Sequence, residues 1–471
     1  MEQVRKKKID FTEGKVFFKL LRFILPIIAT NLLQTFYNAA DMMVVSLSSE
    51  QNAVGAIGVT GSFIHLIVNI YIGFSVGANV VVAREIGAKD REKTQNAVHT
   101  SIMMAVLFGV VGMLLGLAVA RPVLRTMGAS GNLLELAVRY TVFYFIGVPF
   151  MALTNNLVAI FRAKGDSKTP LVVLSLAGIL NVALNLFFVL VAGLSVEGVA
   201  IATSIANFVS FIVLIIKLCK DQDDTTFSLK RLKMEKNAFK DIVVNGVPAG
   251  IQGALFALSN ILIQSSIVTV NNNLVPPGTE YAPVVNGCSA TGNIEGFVYT
   301  AMNAVYQGVI TVTSQNVGAN KLHRVKRILY SSMLAVFSVG VLMSGLAYLF
   351  RVPLLTLYGV KGGAEGGLEA LALDAALIRY NFIISIYFLC GFMDVCSGVL
   401  RGMGKALVST VITLIGACLL RVVWLWTVFP LKQTLETIFI SYPITWIVTA
   451  LTGFIVIQIL LRKKAKQEEK V

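Results

Sequence analysis

Long runs of apolar residues, separated by short polar or charged connections, dominate the sequence. Each run is at least as long as the roughly 20 residues that a helix needs to cross the hydrocarbon core of a bilayer. The pattern predicts an all-α polytopic membrane protein with twelve transmembrane helices, numbered here as spans 1 to 12, over residues 16–45, 52–83, 96–120, 132–161, 170–192, 196–218, 240–270, 286–317, 327–350, 366–400, 406–429 and 434–461.

The two halves of the chain resemble each other at nearly constant offsets. Matching residues lie 222 to 240 positions apart: Pro26 with Pro248, Asn38 with Asn260, Thr60 with Thr291, Gly87 with Gly318, Arg139 with Arg379, Arg162 with Arg401 and Gly165 with Gly404. Each half holds six spans, an even number, so both copies enter the membrane in the same orientation, as in transporters built from parallel repeats. We predict an N-terminal lobe over residues 1–220, a cytoplasmic linker over 221–239 and a C-terminal lobe over 240–471. Alternating access of the two lobes is the expected mechanism.

Composition narrows the class of protein further. Hydrophobic residues make up 56% of the chain and charged residues 14%, whereas soluble domains carry about 25% charged residues. This excludes a soluble enzyme, a disordered chain and a disulfide scaffold. The five cysteines and three histidines form no metal-binding pattern, and there is no phosphate-binding loop. We therefore predict no enzyme activity, no metal site and no cofactor, and a gradient of H⁺ or Na⁺ as the source of energy.

The formal net charge of +15 follows the predicted topology. With the N-terminus inside the cell, 32 of the 40 Lys and Arg residues lie in inside segments and 5 in outside loops. This bias predicts that both termini are cytoplasmic, and it assigns the basic charge to topology and anionic lipid headgroups. We expect no nucleic-acid partner, a prokaryotic plasma (inner) membrane location and a single functional chain.

Three acidic residues lie well inside the predicted spans: Asp41 in span 1, Glu295 in span 8 and Asp394 in span 10. An ionised side chain at the bilayer centre costs at least ~2.5–3.5 kcal/mol on insertion scales, so such residues are candidates for function. We predict that all three couple transport to an ion. The structural alternative is that the acids form fixed ion pairs between helices, with Arg421 as the partner of Asp394 or Glu295.

Polar and aromatic residues share helix faces with these acids. Spacings of three, four and seven residues place side chains on one side of a helix, and rings together with Met suit a lipophilic cation. The predicted substrate-binding residues are Gln34, Tyr37, Asn38, Asn181, Asn185, Asn260, Tyr299, Met302, Tyr306, Tyr387 and Arg421.

Short motifs then distinguish between families of twelve-helix transporters. The major facilitator superfamily needs a Gly, an Asp-Arg pair and a second Gly between helices 2 and 3. Residues 87–93 (GAKDREK) have the wrong spacing and lack that second Gly. The sequence instead resembles the multidrug and toxic compound extrusion (MATE) family over nearly its whole length. The matching segments are Pro26 with residues 38–41 (NAAD), and residues 53–58 (AVGAIG), 161–166 (FRAKGD), 314–319 (SQNVGA) and 400–404 (LRGMG).

The resemblance implies a two-lobed, V-shaped antiporter that exports organic cations in exchange for H⁺ or Na⁺. The family's helix-1 acid falls on Asp41, which implies an ion-coupling role there. Where the family often has a second acid on helix 5, this chain has Asn185, so proton coupling through an acid pair in the N-terminal lobe is not expected. The wider superfamily also includes flippases of lipid-linked oligosaccharides, and export of a lipid-linked or anionic compound is the alternative function.

Overall fold

The computed structural model describes residues 9–468, except residues 49, 51, 278, 280 and 364–366. The basic N-terminal residues 5–8, which contribute to the predicted charge bias, lie outside the described residues. Regular structure in the described chain is helical. The sixteen α-helices are α1 Val16–Val45, α2 Ala53–Ala88, α3 Arg91–Thr126, α4 Gly131–Ala163, α5 Lys168–Leu186, α6 Val196–Lys220, α7 Lys236–Leu274, α8 Pro283–Gly318, α9 His323–Leu349, α10 Arg351–Leu357, α11 Leu368–Phe382, α12 Phe388–Gly402, α13 Ala406–Thr413, α14 Leu420–Thr427, α15 Leu435–Phe439 and α16 Ser441–Glu468.

The predicted all-α membrane fold is confirmed. Among the described residues, ten helical segments are long and apolar enough to cross a membrane, and α11 with α12 passes the same test only as a pair, which is bent by 46°. Helix α8 has 36 residues but does not qualify by composition, since its sequence carries Asn, Thr, Gln and Glu side chains along its length. Span 8 therefore remains a prediction that rests on helix length.

The chain divides into two compact units. Unit 1 contains Met1–Ala254, Ile310–Lys321 and Gly402–Ala406, and unit 2 contains Leu255–Val309, Leu322–Arg401 and Leu407–Val471. The segment predicted as a linker lies within unit 1, where the His99 ring contacts the Ser228 backbone and the Glu235 N–H donates to Thr100 at 2.9 Å. The last turns of α8 likewise lie in unit 1, although the rest of that helix lies in unit 2.

Helix α4 lies at the centre of unit 1 and packs against α2, α3 and α6, while α5 packs against α1 and α6. Leu157, Ile160 and Phe161 of α4 are fully buried in a cluster with Val98 of α3 and Val82 of α2. In unit 2, α11 packs against α15, and α16 packs against α14. Burial of these faces leaves the opposite, apolar faces of the long helices exposed, as expected for helices in contact with lipid.

Two features recur at matching places in the sequence, in keeping with the internal repeat. The helix that begins with α5 continues as a π-helical segment over Phe187–Val191, and α13 continues as one over Leu414–Leu419. Gly165 follows α4 with φ +79°, and Gly404 follows α12 with φ +72°. Glycine adopts this left-handed conformation without steric cost, which explains its presence in both motifs.

Candidate functional site

Asp41 lies near the end of α1 and is contacted by amides from α5. The Asn185 side-chain N–H donates to Asp41 Oδ1 at 2.5 Å. In the amide orientation that satisfies its own polar atoms, Asn181 donates to the same oxygen at 2.8 Å and accepts from the Thr203 backbone N–H of α6 at 3.3 Å. Thus Asp41, Asn181, Asn185 and Thr203 form one polar cluster within unit 1.

Two properties of this cluster bear on its chemistry. Asp41 is half-buried, and the salt bridges found in the described part of the chain do not include it. Asn185 is fully buried, and its carbonyl oxygen has no hydrogen-bond partner among the described residues. The cluster therefore contains an uncompensated carboxylate next to an unused oxygen acceptor, an arrangement suited to binding a cation.

Aromatic residues surround the cluster. The Tyr37 hydroxyl donates to the Ser175 carbonyl at 3.1 Å, and its ring contacts Gly178, where a Cβ would overlap it. This contact joins α1 to α5. Tyr140 and Tyr144 of α4 lie close enough to Asp41 to interact with it electrostatically.

Other predicted residues of the first half do not join this cluster through the contacts described. Gln34 and Asn38 are exposed on α1, and Asn260 is exposed on α7. Their predicted roles in substrate binding remain predictions.

Glu295 on α8 is held by an arginine. Arg379 of α11 donates to both Glu295 carboxylate oxygens at 2.8 Å and to the Cys288 carbonyl at 2.9 Å. The Glu295 side chain is 8% exposed and the Arg379 side chain 13%, so most of this ion pair is buried. The two charges compensate each other within unit 2.

Arg421 is not the partner of Glu295, which corrects one expectation. Its guanidinium donates to Thr445 at 3.1 Å and lies 3.9 Å from the centre of the Tyr442 ring. The structural alternative considered for the acids is correct for Glu295, but with Arg379 in place of Arg421. The sequence could not rank the two arginines because the contact depends on how each helix is rotated.

Asp394 on α12 differs from both other acids. It is 8% exposed, and its Oδ2 has no hydrogen-bond partner in the described part of the chain. It interacts electrostatically with Tyr299 and Tyr306 of α8 and with Arg401 of its own helix. The carboxylate thus borders the aromatic residues that were predicted to bind substrate.

The predicted aromatic residues of unit 2 form part of a continuous group of rings. The Tyr299 ring centre lies 6.4 Å from that of Tyr387, which lies 5.3 Å from that of Trp446. Tyr299 is 38% exposed, whereas Met302 is completely buried. The Met302 sulfur lies near Gly340 of α9, so this side chain fills space between helices.

Comparison with known proteins identifies the family. The family model MatE matches residues 26–187 and 282–427, which is more than half of the chain. The chain belongs to the MATE family. It is thus a multi-pass membrane protein of a transporter family, as the motifs indicated.

Relatives and solved structures agree with this assignment. The probable multidrug resistance protein YoeA of Bacillus subtilis (strain 168) is 28% identical over 403 residues, which cover 83% of this chain and 82% of YoeA. The multidrug export protein MepA of Staphylococcus aureus (strain bovine RF122 / ET3-1) is 24% identical over 346 residues, or 71% of this chain and 74% of MepA. A structure described as the outward-facing conformation of a multidrug resistance MATE family transporter is 20% identical, with a TM-score of 0.87 over 98% of this chain and 100% of that one. The last likeness concerns the fold.

Sequence reasoning missed several residues around the acids, among them Thr203 and Arg379. Thr203 contacts Asn181 through both its backbone N–H and its hydroxyl, but a single threonine on an apolar helix carries no signal that separates it from ordinary packing. Arg379 carried a usable signal, because it is a charged residue inside a predicted span and matches Arg139 in the repeat. In this MATE protein, Arg139 has an acidic neighbour of its own, Glu197, at 3.8 Å.

Proposed function

We propose that this MATE protein is a secondary active antiporter. It exports amphipathic organic cations, including drugs, in exchange for H⁺ or Na⁺, by alternating access of its two halves. The names of its relatives, multidrug resistance protein and multidrug export protein, support the substrate class. The observation that carries the proposal is Asp41, a membrane-embedded carboxylate whose hydrogen-bond partners are neutral amides.

The charge of Asp41 explains why exchange is favoured over simple leakage. An ionised carboxylate inside the membrane is costly unless a cation lies beside it. A proton, a sodium ion or a cationic substrate can each relieve that cost. The neighbouring amides carry no charge, so these cations compete for the single carboxylate of Asp41. Binding of the coupling ion therefore displaces the organic cation, and the reverse.

The donor set around Asp41 is compatible with either coupling ion. Carboxylate, amide carbonyl and backbone oxygens are the ligands that hard cations such as Na⁺ prefer, and the unpaired Asn185 oxygen adds one of them. A half-buried carboxylate can also take up a proton, because burial disfavours its charged form. The experiment below separates these cases.

We propose different roles for the two acids of unit 2, Asp394 and Glu295. Asp394, with an unpaired oxygen beside Tyr299 and Tyr306, is the second candidate for ion coupling. Glu295 was predicted to couple as well. Its pairing with Arg379 leads us to expect that it acts mainly through stability.

We also propose a location and an orientation for the protein. The bias of Lys and Arg toward one side of the membrane supports a plasma-membrane protein with both termini in the cytoplasm. Its partners are the lipid bilayer and the transported cations. A single chain is expected to suffice, with no cofactor besides the transported ion.

The test is transport of a fluorescent lipophilic cation by proteoliposomes, with pH and Na⁺ gradients imposed separately. We expect gradient-driven movement of the dye by the wild-type protein under one of the two gradients, which identifies the coupling ion. Asp41→Asn should reduce this movement at least roughly tenfold, because the amide carries no charge to attract a cation.

A matched control is Glu135→Gln. Glu135 is an acid on the exposed surface, 54% exposed and paired with Arg121, and its neutralisation should leave transport unchanged. Dye transport by Asp41→Asn at the wild-type rate would contradict the proposed role of Asp41 in ion coupling. Absence of dye movement under both gradients would contradict the proposed substrate class.

A further inference from the structure

A short segment before α1 is packed tightly into unit 1. We call residues 9–14 the N-terminal strap. Phe11 is 2% exposed, and its ring centre lies 5.0 Å from that of Phe23 in α1. Asp10 Oδ1 accepts hydrogen bonds from the Thr12 backbone N–H at 2.8 Å and its hydroxyl at 2.7 Å, which fixes the turn.

The backbone of the strap accepts hydrogen bonds from the last turn of α8 and from the loop that follows it. Asn316 Nδ2 donates to the Phe11 carbonyl at 3.1 Å, and Lys321 Nζ donates to the Thr12 carbonyl at 3.0 Å. Partial burial opposes ionisation of Asp10, but the Thr12 hydrogen bonds, followed by the charges of Lys19 and Lys321, outweigh it and hold the pKa of Asp10 below its usual value. The negative charge of Asp10 thus favours the position of Lys321.

The same end of α8 is bound to α2 and α4 by a row of polar side chains, which we call the polar seam. The Thr311 hydroxyl donates to Asn79 Oδ1 at 3.0 Å, and the Asn79 amide donates to the Ala159 carbonyl at 2.9 Å. One turn further along, Gln315 Nε2 donates to the Ala163 carbonyl at 2.7 Å. Thr311 is fully buried and Gln315 nearly so.

Glycines bring the backbones of these helices into direct contact. A Cβ at Gly87 of α2 would overlap the Gln315 carbonyl, and one at Gly318 of α8 would overlap the Arg84 carbonyl. Between α2 and α7, a Cβ at Gly73 would lie 2.8 Å from the Gly246 carbonyl oxygen. Water therefore has no room between α2 and the end of α8 while these contacts hold.

The chemistry of the seam favours repeated separation. Amide, hydroxyl and ammonium groups exchange their protein partners for water at small net cost, whereas separated apolar faces would lose their burial. Helix α8 is also the element that passes from unit 2 into unit 1, at residues 309–310. The last turns of α8 are thus held against α2 and α4 by close contacts between polar groups that water can replace.

We propose that the N-terminal strap and the polar seam form a releasable latch, which holds the end of α8 against α1, α2 and α4 and must open in every transport cycle. This inference rests on the proposed transport by alternating access. It assigns to residues 9–14 a conformational role, in addition to their position ahead of the first membrane helix.

Thiol labelling tests the latch without using transport. Ser314 of α8 is fully buried, so Ser314→Cys can report on opening in a variant whose five native cysteines are replaced. A hydrophilic maleimide, added to the protein in lipid nanodiscs, should react slowly. Lys321→Met and Phe11→Ala should each accelerate labelling roughly tenfold, the change expected when one charged hydrogen bond or one anchor is lost.

Two controls keep this test decisive. Lys326→Met removes the same charge from an exposed site at the start of α9 and should leave the labelling rate unchanged. Lys321→Arg keeps a cationic donor and should restore slow labelling if Lys321→Met proves poorly folded. Equal labelling rates in wild type, Lys321→Met and Phe11→Ala would overturn the latch.

Cross-linking tests whether opening is required. Thr12→Cys with Lys321→Cys, joined by a cleavable bifunctional thiol reagent, should lose dye transport and regain it after cleavage. Full transport by the cross-linked protein would overturn the proposal. Failure of the wild-type protein to move the dye would instead count against the proposed function, and the labelling rates would still decide whether the latch exists.

Discussion

Asp41 and Glu295 are both carboxylates inside long helices, one in each compact unit, yet their surroundings are opposite in kind. Asp41 accepts hydrogen bonds from the neutral amides of Asn185 and Asn181, whereas Glu295 accepts two from the guanidinium of Arg379. An amide stabilises a carboxylate without cancelling its charge. A guanidinium cancels it, so the same functional group is free to attract a cation in one unit and is already satisfied in the other.

The difference also shows how far the two copies have diverged. With the offset of 222 that matches Pro26 with Pro248, Asp41 corresponds to Ile263 in the second half of the sequence. With the offset of 231 that matches Thr60 with Thr291, Glu295 corresponds to Ile64 in the first half of the sequence. Each acid therefore corresponds, in the sequence of the other copy, to a buried apolar residue. The two copies share helices, π-helical segments and turns, whereas these two acids have no acidic counterpart in the other copy.

The largest expected effect is a loss of stability when the ion pair between Glu295 and Arg379 is broken. Arg379→Met leaves Glu295 buried without its partner, which typically costs ~3–5 kcal/mol of stability. We expect a marked fall in the melting temperature of the detergent-purified protein, followed by tryptophan fluorescence. Asp41→Asn should by comparison melt close to wild type, because its removal leaves two neutral amides.

The control for this prediction is the double variant Arg379→Met with Glu295→Gln. It removes both charges, and an uncharged pair of similar volume should recover most of the lost stability. Melting of Arg379→Met at the wild-type temperature would show that Glu295 does not depend on Arg379. The contrast between the two acids would then fail.

A second change makes the Asp41 site more like an acid pair. Asn185→Asp places another carboxyl group next to Asp41, where the amide nitrogen now lies 2.5 Å away. Two carboxylates at this distance cannot both ionise and must share a proton. We expect transport to become strongly dependent on pH around neutrality, measured as dye efflux across a pH series at fixed Na⁺.

The matched control is Asn132→Asp, which adds the same charge at an exposed position in the first turn of α4. Its pH profile should follow that of the wild type. Identical profiles for Asn185→Asp and the wild type would mean that the carboxylate of Asp41 does not exchange ions during transport.

The sequence predicted the helices better than their interruptions. Span 1 coincides with α1, because a long apolar run flanked by charges has one interpretation in a membrane protein. Span 10 was predicted as one helix over residues 366–400, but it bends between α11 and α12. The π-helical segments were also missed. Both features depend on local hydrogen-bond register, which hydrophobic periodicity does not encode.

For the candidate site, too, the sequence predicted which helices take part but not which of their faces meet. The motif that contains Asp41 and the spacing of Asn181 and Asn185 indicated the right helices. Whether those faces meet is decided by the rotation of α1 against α5, which depends on contacts such as Tyr37 on Gly178. The partner of Glu295 was missed for that reason, since Arg379 and Arg421 are both arginines within the last spans of the chain.

The smallest expected effect concerns one hydrogen bond at the uncompensated site. Asn181→Ala removes a donor that lies 2.8 Å from Asp41 but leaves the carboxylate and Asn185 in place. A single hydrogen bond contributes about 0.5–1.5 kcal/mol net, so the ion concentration for half-maximal transport should change roughly fivefold while the maximal rate is retained. Asn237→Ala, at an exposed amide near the start of α7, is the control. A change in the maximal rate alone would mean that Asn181 acts on the movement of the helices, and a change in neither would leave Asn185 as the amide that holds Asp41.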